Sequence, residues 1–292
     1  MSHRLAGAPI SWGVCEVPGW GLQLPPEWVL SEMADLGLKA TELGALGWLP
    51  LDGHAVRTTL DRYGLKLVGG FVPVVVGGED DAETAAEQLA AAGAEVFVAA
   101  LVQDLEWSTP TPLDDVGWRR AGAHLRELAD TVAQRGLTLV LHPHVGTLVE
   151  TAREVEQALA HTDVPFCFDT GHLLIGGVDP AQFVRDHADR IGHVHLKDVD
   201  AAVAERLRRG DVSLVQAVQA GLFRPLGDGD ARIDEIVRLL EEKGYERWLV
   251  LEQDLAITGT EPPAGGGPAL DVARSIEFLS TSAPRRERVS LT

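Results

Sequence analysis

Short apolar segments alternate with amphipathic segments along almost the whole chain. The apolar segments have the length of buried strands and predict strands at 5–11, 38–43, 66–72, 95–102, 137–142, 164–169, 191–196 and 247–252. The segments between them have helical periodicity and predict helices at 26–36, 53–63, 81–92, 115–135, 149–160, 179–189, 231–243 and 268–280. Because parallel neighbours need a crossover connection, this alternation indicates a parallel sheet.

Eight strand–helix units favour a closed barrel, which typically needs about 250 residues, and the chain has 292. The alternative is a doubly wound open sheet, whose first strand is usually followed by a G-x-G-x-x-G turn. Here the first strand ends in Ser11-Trp12-Gly13, without that turn. We therefore predict an α/β fold with one (β/α)8 TIM barrel domain over residues 1–282 and a C-terminal tail over 283–292.

Two connections are longer than the others. Residues 197–230 follow the seventh predicted strand and include a short predicted helix near 201–209, while residues 255–268 follow the eighth and are rich in Gly and Pro. Both begin at carboxyl ends of strands, where the active sites of barrels lie. Long loops at such positions often act as lids, and we expect these two to border the functional site.

Polar residues of metal-binding type stand where four of the predicted strands end. They are His142 and His144, Asp169 and His172, His195 and Lys197, and Glu252 and Asp254. Buried charged groups are costly unless they are paired or bound to a metal, and residues two apart on a strand share a face. If those faces point into a barrel, His142, Asp169, His195 and Glu252 converge near its mouth. Two carboxylates and two imidazoles suit a divalent transition metal such as Mn, Co, Fe or Zn rather than Ca.

Each of these residues also has a structural interpretation when it is taken alone. A single His at a strand end is often only hydrogen-bonded, residues 169–172 could form a turn and the cap of the next helix, and Glu252 could pair with an Arg. Clustering is favoured because the structural interpretation needs a coincidence at four consecutive strand ends. Glu42 could contact a substrate or anchor a ligand, and Trp12 could form an apolar wall for a sugar-like ring or belong to the core.

The composition narrows the class of partners. The net charge is −19, from 25 Lys and Arg against 44 Asp and Glu, and such a surface repels phosphate backbones and anionic lipid. We expect no nucleic-acid and no membrane partner. The N-terminus lacks a secretory signal, no apolar run of about 18 residues occurs, and two cysteines are too few for a disulfide framework, so we expect a cytoplasmic protein. No nucleophile-elbow spacing indicates a hydrolase triad.

At the residues of these motifs the chain resembles the xylose isomerase-like barrel family of sugar isomerases and epimerases, over its whole length. Within that family it is most similar to inosose (2-keto-myo-inositol) dehydratases. The resemblance is carried by the stretches APISWG (8–13), TELG (41–44), HPHVGT (142–147), FDTGH (168–172), HVHLKD (193–198) and LEQD (251–254).

The resemblance implies a metal held by Glu, Asp, His and Glu from strands five to eight. Asp169, His195 and Glu252 match three of these positions, and His142 stands where the epimerases carry Glu. In ketose 3-epimerases that Glu is also one of two acid/base groups that flank the substrate carbon. Its absence argues against two-base epimerisation and favours proton abstraction from one side.

We therefore expect a metal-dependent hydro-lyase of inositol catabolism that dehydrates a polyhydroxy ketone, such as 2-keto-myo-inositol, through an enediolate. Burial near a cation would lower the pKa of Lys197 and suit it for proton transfer. The predicted site comprises catalytic Lys197, Glu252 and His172, substrate-binding Trp12, Glu42, His144 and Asp254, and metal-binding His142, Asp169, His195 and Glu252.

Three alternatives remain at this point. A metal-dependent isomerase or epimerase acting on a sugar or sugar phosphate would use the same enediolate. A DNA-repair endonuclease would need a basic groove, which the charge of −19 disfavours. A non-catalytic carbohydrate-binding barrel would bind a sugar without proton exchange. The resemblance also suggests a homo-oligomer.

Overall fold

The computed structural model of the chain describes residues 4–78 and 80–282, and the predicted tail at 283–292 lies outside them. Within these described residues, nine strands form one parallel sheet, and two more form a small antiparallel pair. The strands are β1 (Arg4–Gly7), β2 (Ala40–Thr41), β3 (Lys66–Leu67), β4 (Gly69–Val75), β5 (Val96–Val102), β6 (Thr138–Leu141), β7 (Phe166–Asp169), β8 (Ile191–Leu196), β9 (Asp198–Val199), β10 (Phe223–Arg224) and β11 (Trp248–Leu251).

Helices follow the barrel strands as the periodicity predicts. They are α1 (Pro26–Asp35), α2 (Gly53–Asp61), α3 (Ala82–Ala92), α4 (Asp115–Ala133), α5 (Ala152–His161), α6 (Thr170–Ile175), α7 (Pro180–His187), α8 (Ala201–Arg208), α9 (Leu214–Gln219), α10 (Ile233–Glu242) and α11 (Pro268–Ser282), with 3-10 turns at Pro9–Trp12 and Ala188–Arg190. No helix in the described part of the chain is long and apolar enough to cross a membrane.

The sheet closes into a barrel through Val68, the residue between β3 and β4. Its N–H donates to the Thr41 carbonyl at 2.9 Å, and its own carbonyl accepts from Glu95 N at 2.8 Å. One bent strand therefore pairs with β2 at its start and with β5 afterwards. Because β3 and β4 occupy a single place in the ring, the barrel has eight strand positions, which confirms the predicted TIM barrel.

The strands bury both of their faces, as parallel barrel strands do. On one face, residues such as Phe97, Phe168 and Leu251 pack with apolar residues of the helices in one large core. On the other face, small or branched residues of the strands pack against one another, among them Val98, Val140 and Cys167. The barrel interior is therefore filled up to the level at which polar residues replace apolar ones.

Two segments differ from the predicted pattern. The first strand ends at Gly7, and a 3-10 turn follows at Pro9–Trp12, because Pro9 has no N–H for a ladder and suits the start of a helical turn. After β8 the chain forms α8, α9 and the antiparallel pair of β9 and β10, in which Phe223 lies opposite Val199. The sequence predicted only one short helix in that connection.

Candidate active site

The carboxyl ends of β6, β7, β8 and β11 bring the predicted polar residues to one end of the barrel. Asp169 is in register with His195, and Val250 is also in register with His195. Because side chains alternate along a strand, Asp169, His195 and Glu252 all point to the barrel interior. Asp169 and His195 are fully buried, and the Glu252 side chain is 11% exposed.

Asp169, His195 and Glu252 offer three ligand atoms that lie within 4.8 Å of one another. His195 Nδ1 is 3.5 Å from Asp169 Oδ2 and contacts Glu252 Oε2. Neither His195 Nδ1 nor Glu252 Oε2 has a hydrogen-bond partner among the described residues although both atoms are buried. Two carboxylates and an imidazole nitrogen form a donor set that is consistent with a divalent metal.

The balance of charges in the site also supports a bound divalent metal. Three carboxylates, those of Asp169, Glu252 and Asp254, lie within 3.5 Å of the Lys197 ammonium, and a fourth, that of Glu42, pairs with His195. Neighbouring carboxylates raise the pKa of His195, and even with a protonated His195 a formal excess of two negative charges remains in the buried site. Uncompensated buried charge is strongly unfavourable, so the residues present fit a bound dication.

Lys197 lies at the centre of the carboxylates. Its Nζ is 2.8 Å from Asp254 Oδ1, 3.3 Å from Glu252 Oε1 and 3.5 Å from Asp169 Oδ2. Burial alone would lower the pKa of Lys197, but Asp169, Asp254 and Glu252 outweigh it and raise that pKa. The carboxylates thus stabilise the ammonium form, whereas the expected lowering of this pKa refers to a site with a bound cation.

Backbone contacts hold Lys197 in its place. Its N–H donates to Thr170 Oγ1 at 2.8 Å, and the Thr170 hydroxyl donates to the Lys197 carbonyl at 2.7 Å. Gly171 packs directly against it, since a Cβ on Gly171 would lie 2.7 Å from Lys197 Cβ. Asp169 Oδ1 accepts from the N–H groups of Gly171 and His172, so Asp169 also caps α6.

The three remaining predicted histidines lie on the α6 side of the centre. His142 Nε2 is 3.3 Å from Asp169 Oδ2, and His142 belongs to a separate donor group with Cys167 and His195. His144 and His172 face each other with ring centroids 3.9 Å apart. Burial lowers the pKa of all three, that of His144 to about 3. They are therefore neutral near pH 7, and Lys197 Nζ donates to His172 Nε2 at 3.0 Å.

Two of the predicted substrate contacts are placed elsewhere. Trp12 is completely buried in the core, and its Nε1 donates to Glu32 Oε2 at 2.8 Å, so the structure does not bring it into the polar cluster. Glu42 lies beneath the centre, where its Oε1 accepts from Nε2 of both His193 and His195. His193, two residues before His195 on β8, shares its face but was absent from the predicted site.

An aromatic wall of Phe71 and Trp107 borders the histidines and was missed by the sequence analysis. The two rings stack with centroids 6.1 Å apart at an interplanar angle of 12°. Phe71 contacts the rings of His142 and His144. Trp107 is 40% exposed and has a φ of 58°, a conformation that is unusual for a bulky residue and clusters at functional sites. Trp107 lies in the loop after β5, where no hydrophobic periodicity in the sequence predicts its position.

Asp198 anchors the predicted long connection beside the site. Its carboxylate accepts from four backbone N–H groups, those of Val199, Gly227, Gly229 and Ala231, at 2.8 to 3.0 Å. This carboxylate is buried, with 1% of Asp198 exposed. The turn at 225–231 is thus tied to the residue that follows Lys197.

Replacing Asp198 by alanine is expected to destabilise the protein and loosen this turn. A buried N–H left without an acceptor costs about 1–3 kcal/mol, and several are left here. Urea unfolding measures the loss of stability, and limited proteolysis reports opening at 225–231. Asp200→Ala is the matched control, because Asp200 caps α8 and pairs with the partly exposed Arg224, and loss of such a cap costs about 1 kcal/mol. Equal effects of the two substitutions would contradict the anchoring role.

A parallel barrel with a buried, metal-compatible donor set at its carboxyl-end mouth defines the class of protein. The chain belongs to the xylose isomerase-like TIM barrel family, whose model matches residues 30–281. This confirms the resemblance noted from the motifs.

Named relatives cover most of the chain. It is 36% identical over 275 residues to the inosose dehydratase of Geobacillus kaustophilus (strain HTA426), with 87% of this chain and 89% of that protein covered. It is 36% identical over 271 residues to the rhizopine catabolism protein MocC of Rhizobium meliloti, covering 87% and 82%. Such relatives confirm the expectation of an enzyme.

Solved structures share the fold. The zinc-containing IolI protein matches with a TM-score of 0.68 at 12% identity, over 96% of this chain and 97% of that one. L-ribulose 3-epimerase matches with a TM-score of 0.68 at 15% identity, over 96% and 94%. At these identities the likeness concerns the architecture alone.

Proposed function

We propose that the protein is a metal-dependent hydro-lyase that removes water from a cyclic polyhydroxy ketone of the inosose type, in inositol catabolism. The observation that carries the proposal is the meeting of Asp169, His195 and Glu252 beside the buried ammonium of Lys197. The inosose dehydratases among the relatives support the reaction and the substrate class.

Asp169, His195 and Glu252 would hold the cation, and His142 lies next to Asp169 on the adjoining strand. A divalent cation in such a site supplies Lewis-acid polarisation of the substrate's carbonyl oxygen. Glu252 is also a candidate base on the sequence evidence, but its oxygens contact His195 and Lys197. We assign Glu252 to holding the cation.

We assign proton transfer to Lys197 and Asp254, whose Nζ and Oδ1 atoms lie 2.8 Å apart. Burial raises the pKa of Asp254 to about 6 although Lys197 opposes this, and a pKa near the working pH suits a proton acceptor. Asp254 takes the proton from the carbon next to the carbonyl. The ammonium of Lys197 donates a proton to the departing β-hydroxyl, which leaves as water. One proton then passes from Asp254 to Lys197 and restores the pair.

Neutral imidazoles and an aromatic wall complete the proposed substrate site. His144 and His172 supply uncharged hydrogen-bonding nitrogens for hydroxyl groups. The stacked rings of Phe71 and Trp107 lie beside His144 and give an apolar surface for the C–H face of a ring. A polyol presents hydroxyl groups and a C–H face, which match this polar edge and this apolar wall. A phosphorylated sugar would need a further cation for its phosphate, and the site is negatively charged.

Replacing Trp107 by alanine is expected to raise KM for the polyol ketone roughly five- to tenfold, with kcat little changed. The rise in KM corresponds to about 1–1.5 kcal/mol of lost apolar contact with the substrate. Because this contact stabilises the ground state and the transition state equally, kcat does not change. Steady-state kinetics measure it. Trp107→Phe keeps an aromatic surface and serves as the control. An unchanged KM in Trp107→Ala would place the substrate away from this wall.

The function is tested by incubating the purified, Mn²⁺-loaded protein with 2-keto-myo-inositol and following the product by mass spectrometry. The proposal expects loss of one water and a product that absorbs in the near ultraviolet. A product of unchanged mass would instead establish an isomerase or epimerase. Binding without turnover and without solvent deuterium incorporation would establish a non-catalytic barrel.

A further inference from the structure

Glu42 is a buried carboxylate that lies outside the proposed donor set. It follows β2, is 5% exposed, and its ion pairs among the described residues are with His193 and His195. Glu42 Oε1 accepts from His193 Nε2 at 2.8 Å and from His195 Nε2 at 2.9 Å. Both distances are ordinary N–H···O hydrogen-bond lengths. Because the two histidines lower the pKa of Glu42 against the effect of burial, the ionised carboxylate can only accept, and each imidazole is assigned a proton on Nε2.

This hydrogen bond determines what the other side of the His195 ring offers. With the proton on Nε2, a neutral imidazole has a bare lone pair at Nδ1. His195 Nδ1 faces Asp169 Oδ2 and Glu252 Oε2, and it has no hydrogen-bond partner. The neighbouring carboxylates raise the pKa of His195 and favour a proton on Nδ1, and a divalent cation bound between the three groups would take the place of that proton. The ring is therefore oriented as a metal ligand requires.

We propose that Glu42 is a positioning residue that fixes the tautomer and the ring orientation of His195, so that Nδ1 is presented to the cation. This inference rests on the proposed metal site. His193 shares the same carboxylate oxygen and keeps Glu42 in place from the layer below. Carboxylates that accept from a ligating histidine increase the basicity of the ligand and hold its orientation.

The same three side chains could instead bind a second cation. Glu42, His193 and His195 also satisfy the distance requirement for a three-donor group. In that arrangement a second cation would displace both Nε2 protons, and His195 would bridge two ions. The hydrogen-bond distances favour the protonated arrangement, and the number of ions bound per chain decides between the two.

The test is Glu42→Gln, which keeps the shape of the side chain but removes its charge and permits the amide to donate to His195. We expect affinity for Mn²⁺, measured by calorimetric titration of the metal-free protein, to fall roughly 10- to 100-fold. Glu32→Gln is the matched control, because Glu32 is also a buried glutamate and its oxygens accept from Trp12 and Gly265. Its affinity for Mn²⁺ should equal that of the unmodified protein.

A second measurement uses the unmodified chain and decides the matter even where Glu42→Gln folds poorly. In the Zn²⁺-loaded protein, long-range ¹H–¹⁵N NMR correlations should place the His195 proton on Nε2 and the metal on Nδ1. Coordination through Nε2, two ions per chain, or equal Mn²⁺ affinity in Glu42→Gln would overturn the positioning role. Failure of the unmodified protein to bind any divalent metal would instead overturn the proposed function.

Discussion

The His195→Ala variant is expected to lose tight binding of divalent metal and, with it, turnover. His195 supplies the only nitrogen in the group of Asp169, His195 and Glu252, and its Nδ1 is buried without another partner. Removing a ligand itself should cost more than the roughly 10- to 100-fold in affinity that follows loss of a group supporting a ligand. The two carboxylates would then face each other with one fewer donor between them.

Metal content after dialysis and calorimetric titration with Mn²⁺ measure this loss, and product formation measures the lost turnover. The control is His54→Ala, since His54 lies exposed on α2. Full metal retention and normal kcat in His195→Ala would show that the cation, if bound, lies elsewhere.

The Lys197→Met variant is expected to show a second large effect, on stability as well as on rate. Methionine keeps much of the side-chain volume but removes the ammonium that pairs with Asp169, Glu252 and Asp254. Breaking a buried ion pair by removing one partner costs about 3–5 kcal/mol. Loss of a proton donor typically lowers the rate by about 10²- to 10⁴-fold.

Thermal unfolding with and without Mn²⁺ separates the two effects of Lys197→Met. A bound dication should recover part of the stability, because it neutralises the same carboxylates, while kcat should stay low. Lys39→Met, at an exposed position, should change neither. If Lys197→Met kept both its melting temperature and its kcat, the ammonium would have no role in the centre.

The strands and helices of the barrel could be predicted from the sequence because short apolar runs alternate with segments of helical periodicity. Closure required a contact that no local pattern encodes: Val68 joins β2 to β5 through its own N–H and carbonyl. Residues two apart on a strand share a face, and His193, His195 and Lys197 accordingly lie buried on one face of the strand.

The rest of the site depends on loops and on charge balance in three dimensions. Trp107 lies in an irregular loop whose backbone is held by Asp104, which accepts from the N–H groups of Glu106 and Ser108. Nothing in the local pattern directs that ring towards Phe71. The pKa of Lys197 could not be inferred either, because its direction depends on how many carboxylates reach the ammonium.

The most direct measurement of the central claim is anomalous diffraction at the manganese edge from crystals grown with Mn²⁺. A single strong peak within coordination distance of Asp169 Oδ2, His195 Nδ1 and Glu252 Oε2 is the predicted result. A map with no peak between these three atoms, or with its only peak at Glu42 and His193, would contradict it.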